Sequence, residues 1–139
     1  MPPDRSRPDD PIEWLNRARS CLIRAGLVHP DVYLEDLCFD AQQAAEKSLK
    51  AVLLFAGSGF RRMHDIAELI SQIERAGVDV PSEVKLSARL NDYAVEARYP
   101  GPAEPVTPDE HLDALDLANR VFTWAHALIS PDHDPTDRP

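Results

Sequence analysis

Apolar residues through the middle of this chain recur at steps of three and four, and nowhere do Val, Ile, Thr and aromatics alternate at steps of two over the length of a strand. A stripe of that period buries against other helices, so the chain is all-α, an up-and-down bundle of four to five helices. Proline sets its limits. Four of the 13 prolines fall within the first eleven residues, four between Pro100 and Pro108, and three among the last nine. Ends so rich in proline and charge cannot offset their ordering entropy, which predicts a flexible tail over 1–9, a helical bundle over 10–130 and a second tail over 131–139.

The punctuation predicts five helices. Asp10 caps the first, with Pro11 in its first turn and Ile12, Leu15, Ala18, Leu22 and Ala25 inward, before Gly26 and Pro30 stop it. The second runs over about 31–56. Leu34, Cys38, Ala41, Ala45, Leu49, Val52 and Phe55 form its stripe, Leu37, Ala44 and Ala51 widen it, and Gly57 and Gly59 end it. Asp65 caps a third, with Ile66, Leu69, Ile70 and Ile73 inward and Gly77 at its end. A fourth begins at Ser82 and turns Leu86, Leu90, Tyr93 and Ala97 inward until Pro100 breaks it. Thr107, Pro108 and Glu110 spell a capping box for the fifth, whose inward residues are Leu112, Leu115, Ala118, Phe122, Ala125 and Ile129.

At 139 residues the chain makes one domain, large enough to build a core without disulfides. Its 24 Asp and Glu against 15 Lys and Arg give a net charge of −9, a field that repels phosphate backbones and disfavours non-specific DNA binding. Cys21 and Cys38 both lie within helical apolar patterns, which suits a reducing cytoplasm. No stretch has the character of a signal peptide, and the longest dense apolar run, 51–56, is far short of the roughly 20 residues that span a bilayer.

Catalytic motifs are sparse. The 5 glycines form no phosphate-cradling loop. His29, His64, His111, His126, His133 and the two cysteines never take zinc-ligand spacing, so neither a metal nor a cofactor is expected. Ser58 follows a helix rather than a strand and lacks the setting of a nucleophile elbow.

The second helix carries the most particular polar surface. Gln42, Glu46 and Lys50, at successive steps of four, share one side, and Gln43 and Lys47 form the ridge beside it. One reading is a solvated face on which a Glu-to-Lys pair contributes roughly 0.2–0.5 kcal/mol to helix stability. The other is a face that binds something.

Four stretches decide between them. These are Trp14, Leu15, Asn16, Arg17, Ala18, Arg19; then Ala41, Gln42, Gln43, Ala44, Ala45, Glu46, Lys47 with Leu49, Lys50, Ala51; then His64, Asp65, Ile66; and last Tyr93 through Arg98, Tyr99, Pro100, Gly101. In that order they resemble the HEPN family, helical-bundle domains often encoded beside minimal nucleotidyltransferases in bacteria and archaea. The resemblance covers most of the chain and implies a HEPN bundle, commonly a homodimer with a cleft at its two-fold axis.

Many HEPN proteins are metal-independent ribonucleases in which an Arg, followed after about four to six residues by a His, supplies a cation for the phosphorane and a general base. Arg98 stands at the family Arg. Ala103, Glu104 and Pro105 stand where the His should be, so the motif is broken there. Arg24 with His29 and Arg120 with His126 match the spacing away from the family position, the second pair about 120° apart around its helix.

His64, ahead of the Asp65 cap and beside Arg61 and Arg62, has the setting to hold an anion at a helix start or simply to pack there. Trp14 and Trp124 fit core or dimer contacts. The resemblance therefore implies a protein that binds a nucleotide or RNA-derived ligand, or a nucleotidyltransferase partner, within a two-gene, toxin–antitoxin-like module. Lys47, Lys50, His64 and Arg98 would supply positive charge, Gln43 and Glu46 hydrogen bonds, and Tyr99 a stacking surface. A metal-independent endoribonuclease toxin with a divergent site and a purely structural adaptor are the alternatives.

Overall fold

Each side-chain cap expected from the sequence is in place. In the computed structural model, which describes residues 7, 9–60, 63–94 and 105–130, α1 (Pro11–Ala25) opens on Asp10, whose carboxylate accepts from the Ile12 N–H. Asp65 caps α3 (Ile66–Arg75) by accepting from the Glu68 N–H. Thr107 and Glu110 form the full capping box of α5 (Pro108–Ile129). Two helices end as their glycines dictate. Gly57 and Gly77 take positive φ, and the amides that follow reach back to the carbonyls of Leu53 and Ile73.

Between these, α2 (Leu34–Phe55) starts three residues later than its pattern predicts. His29 is the cause, since its carbonyl accepts from the Val32 N–H and its ring Nδ1 from the Asp31 N–H, closing a turn before the helix can begin. The fourth element differs more. A single turn, α4 (Ser82–Lys85), passes into a 3-10 helix over Leu86–Tyr93. Val84, Ser87 and Leu90 are its buried positions, three residues apart, which is the period of a 3-10 helix and not of an α-helix. Leu86, inward on the α-helical reading, is exposed. Ala97 and the expected break at Pro100 lie outside the described residues, as do 131–139 and, of the first tail, all but Arg7 and Asp9.

No strand occurs among the described residues. α1 and α2 run antiparallel. Arg24 at the end of α1 bonds Asp40 near the start of α2, and Trp14 at the start of α1 lies beside Lys50 near the end of α2. α2 is the central helix, packed on α1, α3, α5 and the 3-10 helix. Its buried residues consequently extend around most of its circumference and include Gln42, Glu46, Ser48 and Lys50.

Two long-range bonds tie the last helix to the first two. His111 Nε2 meets the Ala25 carbonyl at 2.7 Å, and Glu35 Oε1 accepts from the Val106 N–H at 2.7 Å. Cys21 and Cys38 are both buried, and neither is in a disulfide.

Candidate functional site

The polar surface of α2 does not face water. Gln42 is 1% exposed, Glu46 4% and Lys50 4%. A Glu–Lys pair carried into the interior costs several kcal/mol of desolvation per ion, so it persists only when every polar atom is met. Here each is. Glu46 Oε2 accepts from Lys50 Nζ at 3.0 Å, and Glu46 Oε1 from Gln42 Nε2 at 3.2 Å. Gln42 Oε1 in turn accepts from Gln43 Nε2 at 2.8 Å, at the half-buried edge of the network.

Aromatic rings close the other side. The Lys50 ammonium lies 5.7 Å from the Trp14 ring centre and 5.0 Å from that of Phe60, and the two rings meet edge to face at 5.1 Å and 83°. His64, just before the Asp65 cap, completes the cluster. Its Nδ1 is 3.3 Å from both Glu46 Oε2 and Lys50 Nζ, and its ring is the exposed member.

Of the residues expected to form a site, Gln43, Glu46, Lys50 and His64 are thus brought together. Lys47 is not. One residue round the helix, it turns to α1 and places Nζ 3.3 Å from the Cys21 Sγ. Arg98 and Tyr99 lie outside the described residues, and so do Arg61 and Arg62. At the start of α3 two of the N–H groups already have side-chain acceptors. Asn91 accepts from the Ile66 N–H and donates to Asp65, while Asp65 takes the Glu68 N–H.

Neither alternative Arg–His pair forms a site. Arg24 bonds Asp40 at 2.9 Å, which raises its pKa above the ordinary value, while His29 holds its own turn. Arg120 bonds Asp116, and His126 is buried beside the Phe122 ring. Phe60 joins the cluster without any signal in its sequence pattern, because its role arises from a contact with Trp14 across the bundle. Trp14, which reads as a core or dimer contact, is the ring that holds it there.

A hollow of about 340 Å³ lies between the 3-10 helix and the start of α5, lined by Arg89, Asp92, Tyr93, Asp109, Glu110 and Asp113. Its lining is mainly acidic, and Arg89 is bonded to Asp113. Among the described residues no group of three or more His, Cys, Asp or Glu is placed to hold a metal ion, and no helix is long and apolar enough to cross a membrane.

Comparison with known proteins agrees with this architecture. Residues 12–128 match the model of the HEPN domain. The crystal structure of TT1696 from Thermus thermophilus is similar at 35% identity with a TM-score of 0.72, over 84% of this chain and 95% of that one. That of ST0689, described as an archaeal HEPN homologue, is similar at 25% identity with a TM-score of 0.68, over 87% and 98%. No curated protein matches. With the family model spanning the bundle from α1 to α5, this chain belongs to the HEPN domain family.

Proposed function

We propose that the protein acts by protein–protein contact, as a homodimeric HEPN subunit that binds a minimal nucleotidyltransferase in a two-gene, toxin–antitoxin-like module. The observation that supports this reading is where the α2 cations go. A phosphate-binding face needs accessible positive charge, yet Lys50 is enclosed with Glu46 under two aromatic rings and Lys47 is half-buried against Cys21. A nucleotide approaching this face meets His64 and an otherwise sealed network.

Apolar side chains are outside instead. Leu27, Val28 and Tyr33, in the connection from α1 to α2, are all exposed, Tyr33 at 75%. Apolar and aromatic groups at a surface suit a protein partner better than an anionic ligand. The nucleotidyltransferase is the partner implied by the branch of the family that this sequence resembles.

Co-expression with the product of the neighbouring gene, which this reading expects to be a minimal nucleotidyltransferase, followed by light scattering and calorimetry, tests the assignment. A stoichiometric complex is expected, weakened at least about tenfold by Tyr33→Glu with the fold unchanged. Tight binding of a free nucleotide by the isolated chain, lost in His64→Ala, would overturn it in favour of the ligand-binding reading. Metal-free degradation of RNA, lost in Arg98→Ala, would favour the ribonuclease.

A further inference from the structure

The chain has three lysines, and two of them meet a carboxylate: Lys50 pairs with Glu46 and Lys85 with Glu74. The third does not. Among the described residues Lys47 pairs with no carboxylate, and its Nζ donates instead to the Sγ of Cys21 at 3.3 Å. A neutral thiol is a weak acceptor, so sulfur is an unusual anchor for a half-buried ammonium. The contact does, however, set an amine against a nucleophilic atom.

A second cation shares that sulfur. Arg24 brings Nη2 to 3.6 Å from Sγ while bonding Asp40 at 2.9 Å. Positive charge thus borders Cys21 from both helices and complements the thiolate, the form in which sulfur attacks an oxidant. Cys21 is only 2% exposed. Part of its cover is these two long side chains, and that of Arg24 is 57% exposed, so a rotamer change opens a path for a molecule as small as hydrogen peroxide. A thiol carried by another protein is too large to follow.

We propose that Cys21 and Lys47 are a peroxide-responsive pair that closes into a sulfur–nitrogen cross-link between α1 and α2. The Cys21 thiolate attacks one oxygen of hydrogen peroxide and the O–O bond breaks. Sulfur is oxidised by two electrons to the sulfenic acid, and the departing hydroxide takes a proton from the Lys47 ammonium to leave as water. The freed Nζ lone pair then attacks sulfur. An S–N bond forms, the S–O bond breaks, and the hydroxyl leaves as a second water with a proton from nitrogen. The starting separation of 3.3 Å is within the about 3–3.5 Å from which aligned atoms react, and the flexible lysine stem closes the rest. Two equivalents of a thiol reductant return the thiol and the amine and become a disulfide themselves. The partners are 26 residues apart in sequence, so the link is a reversible staple between the two helices.

The full chain is treated with hydrogen peroxide, denatured, alkylated and digested with trypsin in the absence of reductant. Peptide mass spectrometry should find Cys21 joined to Lys47 with the loss of two hydrogens, no cut after Lys47, Cys38 still alkylated, and full reversal by dithiothreitol. Lys47→Arg keeps the charge but supplies no comparable nucleophile. With its fold checked by circular dichroism, its Cys21 should go on to sulfinic acid about tenfold more than in the wild type. A Cys21–Cys38 disulfide, a link heavier by one oxygen, an unmodified Cys21, or equal sulfinic acid in both proteins would overturn the cross-link.

Discussion

The imidazole of His111, in the first turn of the last helix, closes the end of the first helix: its Nε2 lies 2.7 Å from the carbonyl oxygen of Ala25. Carbonyls at a helix C-terminus have no intrahelical partner, and this one is met by a side chain 86 residues away. His111→Ala should lower stability by about 1–3 kcal/mol, the cost of leaving a buried acceptor unmet. Urea denaturation followed by circular dichroism measures it.

Glu46 and Lys50 predict a different pattern. Removing one member strands the other as a buried charge, so Glu46→Ala should cost about 3–5 kcal/mol. Replacing both, Glu46→Leu with Lys50→Met, should cost less than either single change. A double-mutant cycle checks this, and additive losses would mean that the two ions do not act as a unit.

Glu35 holds the approach to α5 through the Val106 N–H. Glu35→Ala is expected to destabilise by about 1–2 kcal/mol, discounted for partial exposure. Native-state hydrogen exchange should show the Val106 amide losing protection before the interior of α5 does.

Thr107→Ala breaks the capping box from one side and should cost about 1 kcal/mol. Adding Glu110→Ala should cost less in that background than in the wild type, because the two bonds are reciprocal. Thermal melts of the four proteins give the comparison.

Helix starts and stops are legible because their causes are local. Asp10, Asp65 and Thr107 bond amides two or three residues on, and Gly57 and Gly77 need nothing beyond their own backbone freedom. Phase is less secure. In α5 Leu112 is 60% exposed and His111 is inside, since the helix is oriented by what it packs on and by the Ala25 carbonyl. Ile12 and Phe55, at helix ends where the bundle stops covering them, are exposed in the same way. The fourth element reads as an α-helix in sequence because steps of three and steps of three and four look alike over ten residues or so.

The candidate site is half legible. A step of four does place Glu46 beside Lys50, and the His64 motif marks a residue that joins them. Their burial is not visible, because a polar face reads as wet unless it is known that α2 has neighbours on nearly every side. Lys47 parts from Lys50 for the same reason: on a central helix, adjacent ridges belong to different neighbours.

The central position of α2 also shapes the order of events during synthesis. Its buried face emerges from the ribosome well before α5 exists to cover it, and at about 5–20 residues per second the gap lasts several seconds. During that interval the residues of α2 that pack on α5 lack their final cover. The nascent chain is then most open to chaperone capture, or to premature pairing with a neighbouring copy.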